Sequence, residues 1–430
     1  MTNLAVVPVT PITLTPEQSE AINSLMGFLS DPSPDSRFFT LAGFAGTGKT
    51  FCMREVVARS KNSRAKFAFT APTNKAAKVL RAITGEAQTI FSLLGLRIDK
   101  TGELKQLVVG KAPPDLSDYT AIFVDEGSMV NKNLFKLLHE KAITYDLKVI
   151  FMGDAAQLPP VGEASSPIWT QVENSASLTK VMRHDNQILT LATELREVMN
   201  DFCPSITIKS SHSENQGVWK VAKNLFKQSI YDAAVAGDFS DGSKSKVIAW
   251  RNARVSEYNI LIRNAIFGAA AQSQPYIKGD RIVAAAPCMR GDDPLLTTDE
   301  EAIVEGAIEC NHPLEPKYRC RELSVRTEAN KLVRLLVLHE DSAERYAQDS
   351  EKLAYDAKAT PRLWKKFWEH KDLFHDIKYA YALTAHRSQG STYENVWVDY
   401  QDILINRNRK EAFQCLYVAC TRPTTKLILA

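Results

Sequence analysis

Nowhere does this 430-residue chain hold the ~20 consecutive apolar residues that a membrane-spanning helix needs. Its first residues, MTNLAVVPVTPITLTPEQ, lack the basic start and the apolar block of a secretory leader. Cysteine is sparse and unpatterned: Cys52, Cys203, Cys288, Cys310, Cys320, Cys415 and Cys420 are odd in number and include no C-x-x-C, which argues against a disulfide framework and a zinc site. These features lead us to expect a cytoplasmic protein with reduced thiols and no membrane partner. Excess charge of one sign is missing too. With 53 basic and 50 acidic residues the net charge is +3, so bulk charge neither demands nor excludes a nucleic-acid partner, and any basic surface must be local. Internal repeats at a solenoid period and low-complexity segments are absent as well.

What is present is a chain long enough for two to four domains, 44% apolar and 24% charged. Its most specific local signal is GFAGTGKT at 43–50, a complete G-x-x-x-x-G-K-[ST] phosphate loop. The apolar run RFFTLAG precedes it and helical spacing follows it, which is the strand, loop, helix context the motif requires. In such a loop the backbone N–H groups of Gly43, Ala45, Gly46, Thr47, Gly48 and Phe51 and their neighbours surround phosphate at a helix N-terminus. Lys49 neutralises the β and γ oxygens, and Thr50 offers a hydroxyl to Mg²⁺. A chance glycine turn is the bland alternative, which the context disfavours.

Further apolar runs at 66–72, 120–126 and 147–154 alternate with polar or helical segments, the pattern of a parallel sheet covered by helices. A second series (246–250, 378–384, 395–400, 426–430) predicts a second α/β domain. Between its early and late strands, short strand-like segments predict a small barrel, followed by an aromatic-rich helical arm containing WKKFW at 364–368. LRIDKTGELKQLVV at 96–109 reads as a hairpin inserted in the first domain. The expected layout is a first domain over 1–200, a second over 201–274 and 376–430, and the insertion over 275–375.

Catalysis at a phosphate loop also needs a carboxylate for the metal and a base for the attacking water. IFVDE offers Asp125 for Mg²⁺ and Glu126 for the water, and GDAAQLPPVGE offers Gln157 after the next strand. TAHRSQGST (384–392) places hydroxyl and cationic groups at a strand end with a glycine for close backbone approach, which suits phosphate of a nucleotide or a nucleic acid.

With Asp125-Glu126, GDAAQLPPV, TAHRSQGST and LYVACTR (416–422) in this order, the chain resembles superfamily 1 helicases of the RecD-like, 5′-to-3′ branch, over essentially its whole length. The resemblance implies an α/β fold of two RecA-like domains with an SH3-like barrel inserted in the second. It implies an ATP- and Mg²⁺-dependent DNA helicase acting on single-stranded and forked duplex DNA, with single-strand-binding or replisome proteins as partners, in replication, repair or recombination, and a phage or bacterial origin. Carried over residue by residue, Gln18 falls at the adenine-reading glutamine, Arg183 and Arg422 at the γ-phosphate arginines, and Gly390 at a nucleotide-proximal glycine. Pro72, Thr73, Asn74, Thr89, Phe91, Thr384, His386 and Ser391 fall at single-strand contacts, and the hairpin at 96–109 falls at the strand-separating pin. Three residues depart from the pattern: Phe91 stands where a histidine is usual, Gly127 where Ala or Val is usual, and Cys420 where a small apolar residue is usual. Two rival readings are a P-loop binding module that switches without unwinding, and an RNA translocase or nuclease-linked subunit. Phosphate contacts alone do not separate RNA from DNA.

Overall fold

The computed structural model describes residues 14–60, 65–98, 104–106, 114–181, 187–199, 201, 205–291 and 293–430. They fall into two compact units, one drawn from Met1–Pro72, Leu80–Ala87 and Asp115–Asp185, the other from Thr73–Val79, Gln88–Pro114 and Asn186–Ala430.

In the first unit the strands Phe67–Ala71, Ala121–Val124, Lys148–Gly153, Phe38–Gly43 and Asn174–Leu178 lie side by side in that order, all parallel. The continuous apolar runs are explained by this arrangement, because a central strand such as Ala121–Val124 is buried along its whole length. Helix Pro16–Ser30 presents Ile22, Leu25 and Phe28 at helical spacing, and helix Lys49–Arg59 presents Cys52, Met53 and Val56. Both stripes pack on Leu41, Phe123, Ile150 and Met152 of the sheet. The phosphate-loop strand therefore sits inside the core, and its C-terminal end is fixed by neighbours on both sides.

The second unit has its own α/β sheet: Ala382–Thr384, Ser245–Ala249, Tyr393–Val398, Pro423–Leu429 and Gly217–Lys220 in order, parallel, with Ser211–His212 as an antiparallel edge. Helix Arg409–Cys420 is buried from Ala412 to Cys420, which accounts for the unbroken apolar texture of LYVAC. Both sheets are of the RecA-like kind that the sequence leads one to expect.

The inserted part is an antiparallel five-stranded sheet in the order Leu332–Leu338, Arg319–Thr327, Glu301–Asn311, Arg281–Ala284 and Ile377–Tyr379. The hairpin Cys288–Arg290/Asp293–Leu296 adds Cys288 and Leu296 to the same core. One difference from the sequence reading lies at 378–384. The single run expected there is two strands in two sheets, because the chain leaves the insertion at Tyr379 and enters the parallel sheet at Ala382, with Ala380 and Tyr381 buried between them. Periodicity cannot register such a change of sheet when both faces are buried.

The arm is helix Glu340–Ala359, a turn at Pro361–Leu363 and helix Trp364–Lys371. Trp364, Phe367 and Trp368 pack edge to face on one another at 5.3 and 4.9 Å between ring centroids. The arm is seated through Tyr346, stacked on His370 at 4.4 Å, and both rings meet Tyr318 edge on. Strands Leu96–Ile98 and Leu104–Gln106 pair antiparallel as the hairpin reading expects; its turn lies outside the described residues.

Candidate nucleotide and nucleic-acid sites

The phosphate loop is built on two left-handed glycines, Gly46 at φ 80° and Gly48 at φ 94°, with Gly48 as the N-cap of helix Lys49–Arg59. A Cβ on Gly48 would lie 2.5 Å from Gln18 Nε2, and one on Gly43 would lie 2.7 Å from Thr47 Oγ1. Gly43 is therefore favoured for space, and Gly48 for space and backbone angle together. Thr47 donates from Oγ1 to Phe44 O at 2.9 Å, and Lys49 Nζ donates to Gly43 O at 2.6 Å and Phe44 O at 3.0 Å. The result is a concave run of backbone N–H groups at a helix start with one ammonium above it, and this donor set fits a phosphate.

Gln18 also stands in a role that the sequence reading did not name. Its Oε1 accepts from Thr15 N at 3.1 Å, completing a capping box in which Thr15 Oγ1 accepts from Gln18 N, while its Nε2 donates to Thr47 O at 3.2 Å. One residue back, Glu17 accepts from Thr179 N, Thr179 Oγ1 and Lys180 N at 2.9, 2.6 and 3.0 Å. These bonds, led by that from the Thr179 hydroxyl, hold the Glu17 carboxyl below its ordinary range. The start of helix Pro16–Ser30 thus ties the phosphate loop to the segment that leads towards Arg183, which itself lies outside the described residues. The T-x-x-Q spacing at 15–18 carried that signal.

Asp125 and Glu126 follow the buried strand Ala121–Val124. Burial pushes the Asp125 carboxyl up, Lys49 nearby draws it back, and Glu126 N donates to Asp125 Oδ1 at 2.9 Å. Glu126 itself is left-handed at φ 52°, a conformation that costs a non-glycine residue of order 1–3 kcal/mol. Gly127 is explained by packing: a Cβ there would meet Ile168 Cδ1 at 2.9 Å and Met152 O at 3.2 Å. Gln157 is buried in the turn that opens at Asp154, whose Oδ1 accepts from Ala156 N. The carboxylate of Asp125 and the hydroxyl of Thr50 are hard oxygen donors of the kind Mg²⁺ takes, so the residues present fit that ion.

In the second unit, the threonines expected at single-strand contacts share one local job. Thr73 Oγ1 accepts from Ala76 N, Thr89 Oγ1 from Ser92 N, and Thr384 Oγ1 from Arg387 N, so each caps the turn it opens. Asn74 is exposed, whereas Pro72 and Phe91 are half-buried. Gly390 is left-handed at φ 72°, and a Cβ on it would come within 3.0 Å of Ala76 Cβ and 3.5 Å of Thr73 Oγ1, which brings the TAHRSQG loop against the TAPTNKAAK turn. Ser391 is buried beside it. His386 Nε2 lies 3.4 Å from Glu411 Oε1, and both ring nitrogens are 4.0 Å from Cys415 Sγ. Arg422 is buried, donating from Nε to Val418 O, from Nη1 to Ser391 O and from Nη2 to Thr421 Oγ1 at 3.0–3.1 Å.

The sequence reading missed a buried charge cluster beside these residues. Glu301 receives Lys246 Nζ on both oxygens at 2.8 and 2.9 Å and Arg281 Nη2 at 3.2 Å, and Lys75 Nζ lies 3.8 Å from Oε1. Burial pushes Lys246 down to about 8 against the pull of Glu301. Burial also disfavours charge on Lys75, but Tyr393, Glu301 and Asp299 reverse this and leave its ammonium above its ordinary range. No periodicity marks such a cluster, because its members come from residues 75, 246, 281 and 301.

Comparison with known proteins gives a consistent picture. A family model described as an AAA domain matches residues 13–203, and one described as a UvrD-like helicase C-terminal domain matches residues 379–430. The chain is similar to the ATP-dependent DNA helicase dda of Enterobacteria phage T4, 26% identical over 95% of this chain and 97% of that protein. It is also similar to the uncharacterized protein R530 of Acanthamoeba polyphaga mimivirus, 21% identical over 96% of this chain and 98% of that one. Among solved structures it resembles Pif1 helicase from Bacteroides in complex with ADP-AlF3 and ssDNA, with a TM-score of 0.50 at 15% identity over 97% of this chain and 92% of that one. At that identity the likeness is one of fold.

Proposed function

The chain belongs to the superfamily 1B helicases, the Pif1- and RecD-like branch, and on that premise we propose that it moves 5′ to 3′ along single-stranded DNA, coupling Mg-ATP hydrolysis to unwinding of forked duplexes. The observation that carries the reading is the phosphate loop, whose glycines, ammonium and helix N-terminus form one concave donor set ahead of the Asp125-Glu126 pair.

In this reading Lys49 exchanges its bonds to Gly43 O and Phe44 O for the β and γ oxygens of ATP, so the loop holds the cation ready at no cost in unpaired charge. Gln18, fixed at both ends of its amide, faces the base with its remaining N–H and lone pair. Thr50 and Asp125 would hold Mg²⁺, which supplies charge neutralisation on the phosphate oxygens. Glu126 orients and deprotonates the attacking water, its left-handed backbone setting the direction of the carboxylate. Gln157 contacts the γ-phosphate, and Arg183 and Arg422 stabilise charge on the transferred group. Hydroxyl and backbone groups around Thr73, Thr89, Thr384 and Ser391, with Pro72, Asn74, Phe91 and His386, grip the strand with little regard for sequence. The domain layout 1–200, 201–274 with 376–430, and 275–375 is proposed with it, as is a pin role for the hairpin at 96–109.

The test is ATP hydrolysis measured in parallel without nucleic acid, with single-stranded DNA and with single-stranded RNA. Strong stimulation by DNA, abolished in Lys49→Ala, supports the reading. Equal rates in all three sink translocation, and stimulation by RNA alone moves the substrate. Duplexes with a 5′ overhang are expected to unwind and those with only a 3′ overhang are not; the reverse result refutes the polarity.

A further inference from the structure

Glu301 is one carboxylate facing three cations, and the three are not held alike. Lys246 and Arg281 are hydrogen-bonded to it, and each has a second anchor, Lys246 on Ala380 O and Arg281 on Ser240 O at 3.1 Å. Lys75 is different. At 3.8 Å it is attracted by charge but lies beyond hydrogen-bond distance, and its side chain is 19% exposed against 1% for Lys246. The carboxylate is therefore already neutralised twice over without it.

Lys75 opens onto a cavity of about 370 Å³ whose wall also carries Thr384 and Arg387. Arg387 is occupied by Asp299 and Ala284 O, whereas Lys75 is drawn to the Glu301 carboxylate by charge alone; Lys378, the third cation of that wall, is exposed. It stands two residues after Thr73, at the start of helix Asn74–Thr84, which Gly390 allows the TAHRSQG loop to approach.

We propose that Lys75 is a backbone-phosphate contact for the single strand, and that Glu301 is its resting counter-ion, from which the ammonium swings to the phosphate when nucleic acid enters. This rests on the functional reading above and adds to it a residue and the group that restrains it. Binding then exchanges one ion pair for another, while Lys246 and Arg281 keep Glu301 neutral in both states. The inserted sheet, through Glu301, sets how much affinity the contact adds.

The experiment is fluorescence anisotropy of a labelled oligo-dT strand against salt, with melting temperature recorded for each variant. Lys75→Met is expected to weaken binding roughly tenfold at low salt and to lower the slope of log K against log[salt] by about 0.7, the share of one phosphate on a single strand, while Lys75→Arg restores the slope. Glu301→Gln is expected to tighten binding at least twofold through release of Lys75, and to do nothing when combined with Lys75→Met. A purely structural cluster predicts the opposite: both single variants weaken binding with falling melting temperature and an unchanged slope, and that result overturns the proposal. Should Glu301→Gln not fold, the slopes of Lys75→Met and Lys75→Arg decide alone. Wild-type protein that fails to bind the strand refutes the functional reading and this inference together, whereas wild-type binding with a normal slope in Lys75→Met refutes the inference only.

Discussion

Gln18 offers a test of whether the helix start before the phosphate loop reads the base or only braces the loop. Its amide has two N–H donors and two acceptor lone pairs. Thr15 N takes one lone pair and Thr47 O takes one N–H, which leaves one of each, the complement of the adenine N6–H and N7 edge. Gln18→Ala removes the capping-box acceptor, at about 1 kcal/mol, and leaves the buried Thr47 carbonyl without this donor, at ~1–3 kcal/mol. In a domain of this size that corresponds to a fall of roughly 2–4 °C in melting temperature per kcal/mol. Gln18→Glu separates the roles, because its carboxylate can still accept from Thr15 N but has no N–H for Thr47 O or for N7. Both variants should raise KM for ATP and bring ATP and GTP turnover together, and only Gln18→Ala should lose the cap. Steady-state kinetics with both nucleotides, beside a thermal melt, is the assay. If Gln18→Ala melts lower yet keeps the wild-type preference for ATP over GTP, the residue is a brace and the base-reading role is wrong.

Arg422→Lys keeps a charge but loses the fork that spans Val418 O, Ser391 O and Thr421 Oγ1, so DNA-stimulated turnover should fall by ~10³ to 10⁵ with ATP binding retained; near-normal kcat would make the arginine structural. Gly127→Ala pushes a methyl towards Ile168 Cδ1 and Met152 O and should cost about 1–3 kcal/mol in urea denaturation, an effect that Ile168→Val in the same chain should relieve. Burial raises the Glu301 carboxyl, but Lys246, Lys75 and Arg281 outweigh it and hold the group below its ordinary 4.5. Its contribution is therefore complete above that value and is lost as pH falls through the depressed one, and Glu301→Gln should flatten this acid limb in pH-dependent melts.

Much of the fold is legible because it rests on runs that only one arrangement satisfies. A glycine-rich loop between an all-apolar strand and a helix, followed by AIFV and KVIFMG, leaves little besides a parallel sheet with its loops at the strands' C-terminal ends. Where a run passes between sheets the signal fails, as at 378–384, because burial on both faces looks the same in either sheet. The arm was legible as helical and aromatic, but not its seat: Tyr346 and His370 stack because residues 24 apart in sequence meet across two helices, and no local spacing encodes that.

The site divides along the same line. Residues whose role is set by their own turn stand out in sequence, since Gly48 must be left-handed and Thr73 and Thr384 must cap whatever else they do. A cap fixes the direction of a hydroxyl, so these local bonds hold the proposed strand contacts in place before any strand arrives, and a polar residue at a helix start is visible one position at a time. Glu301 could not be seen this way. In sequence it is one acid in TTDEEAIVEG, and its importance comes from the cations at 75, 246 and 281, none of which neighbours it. A buried carboxylate that gathers charge from distant segments is a property of the tertiary structure, and removing one partner leaves the others uncompensated in a dry environment. For that reason the cluster holds the inserted sheet to the strand Ser245–Ala249 through Lys246, while Arg281, itself in the inserted sheet, reaches Ser240 O, and of the three cations the loosely held Lys75 is the one that can act on something else.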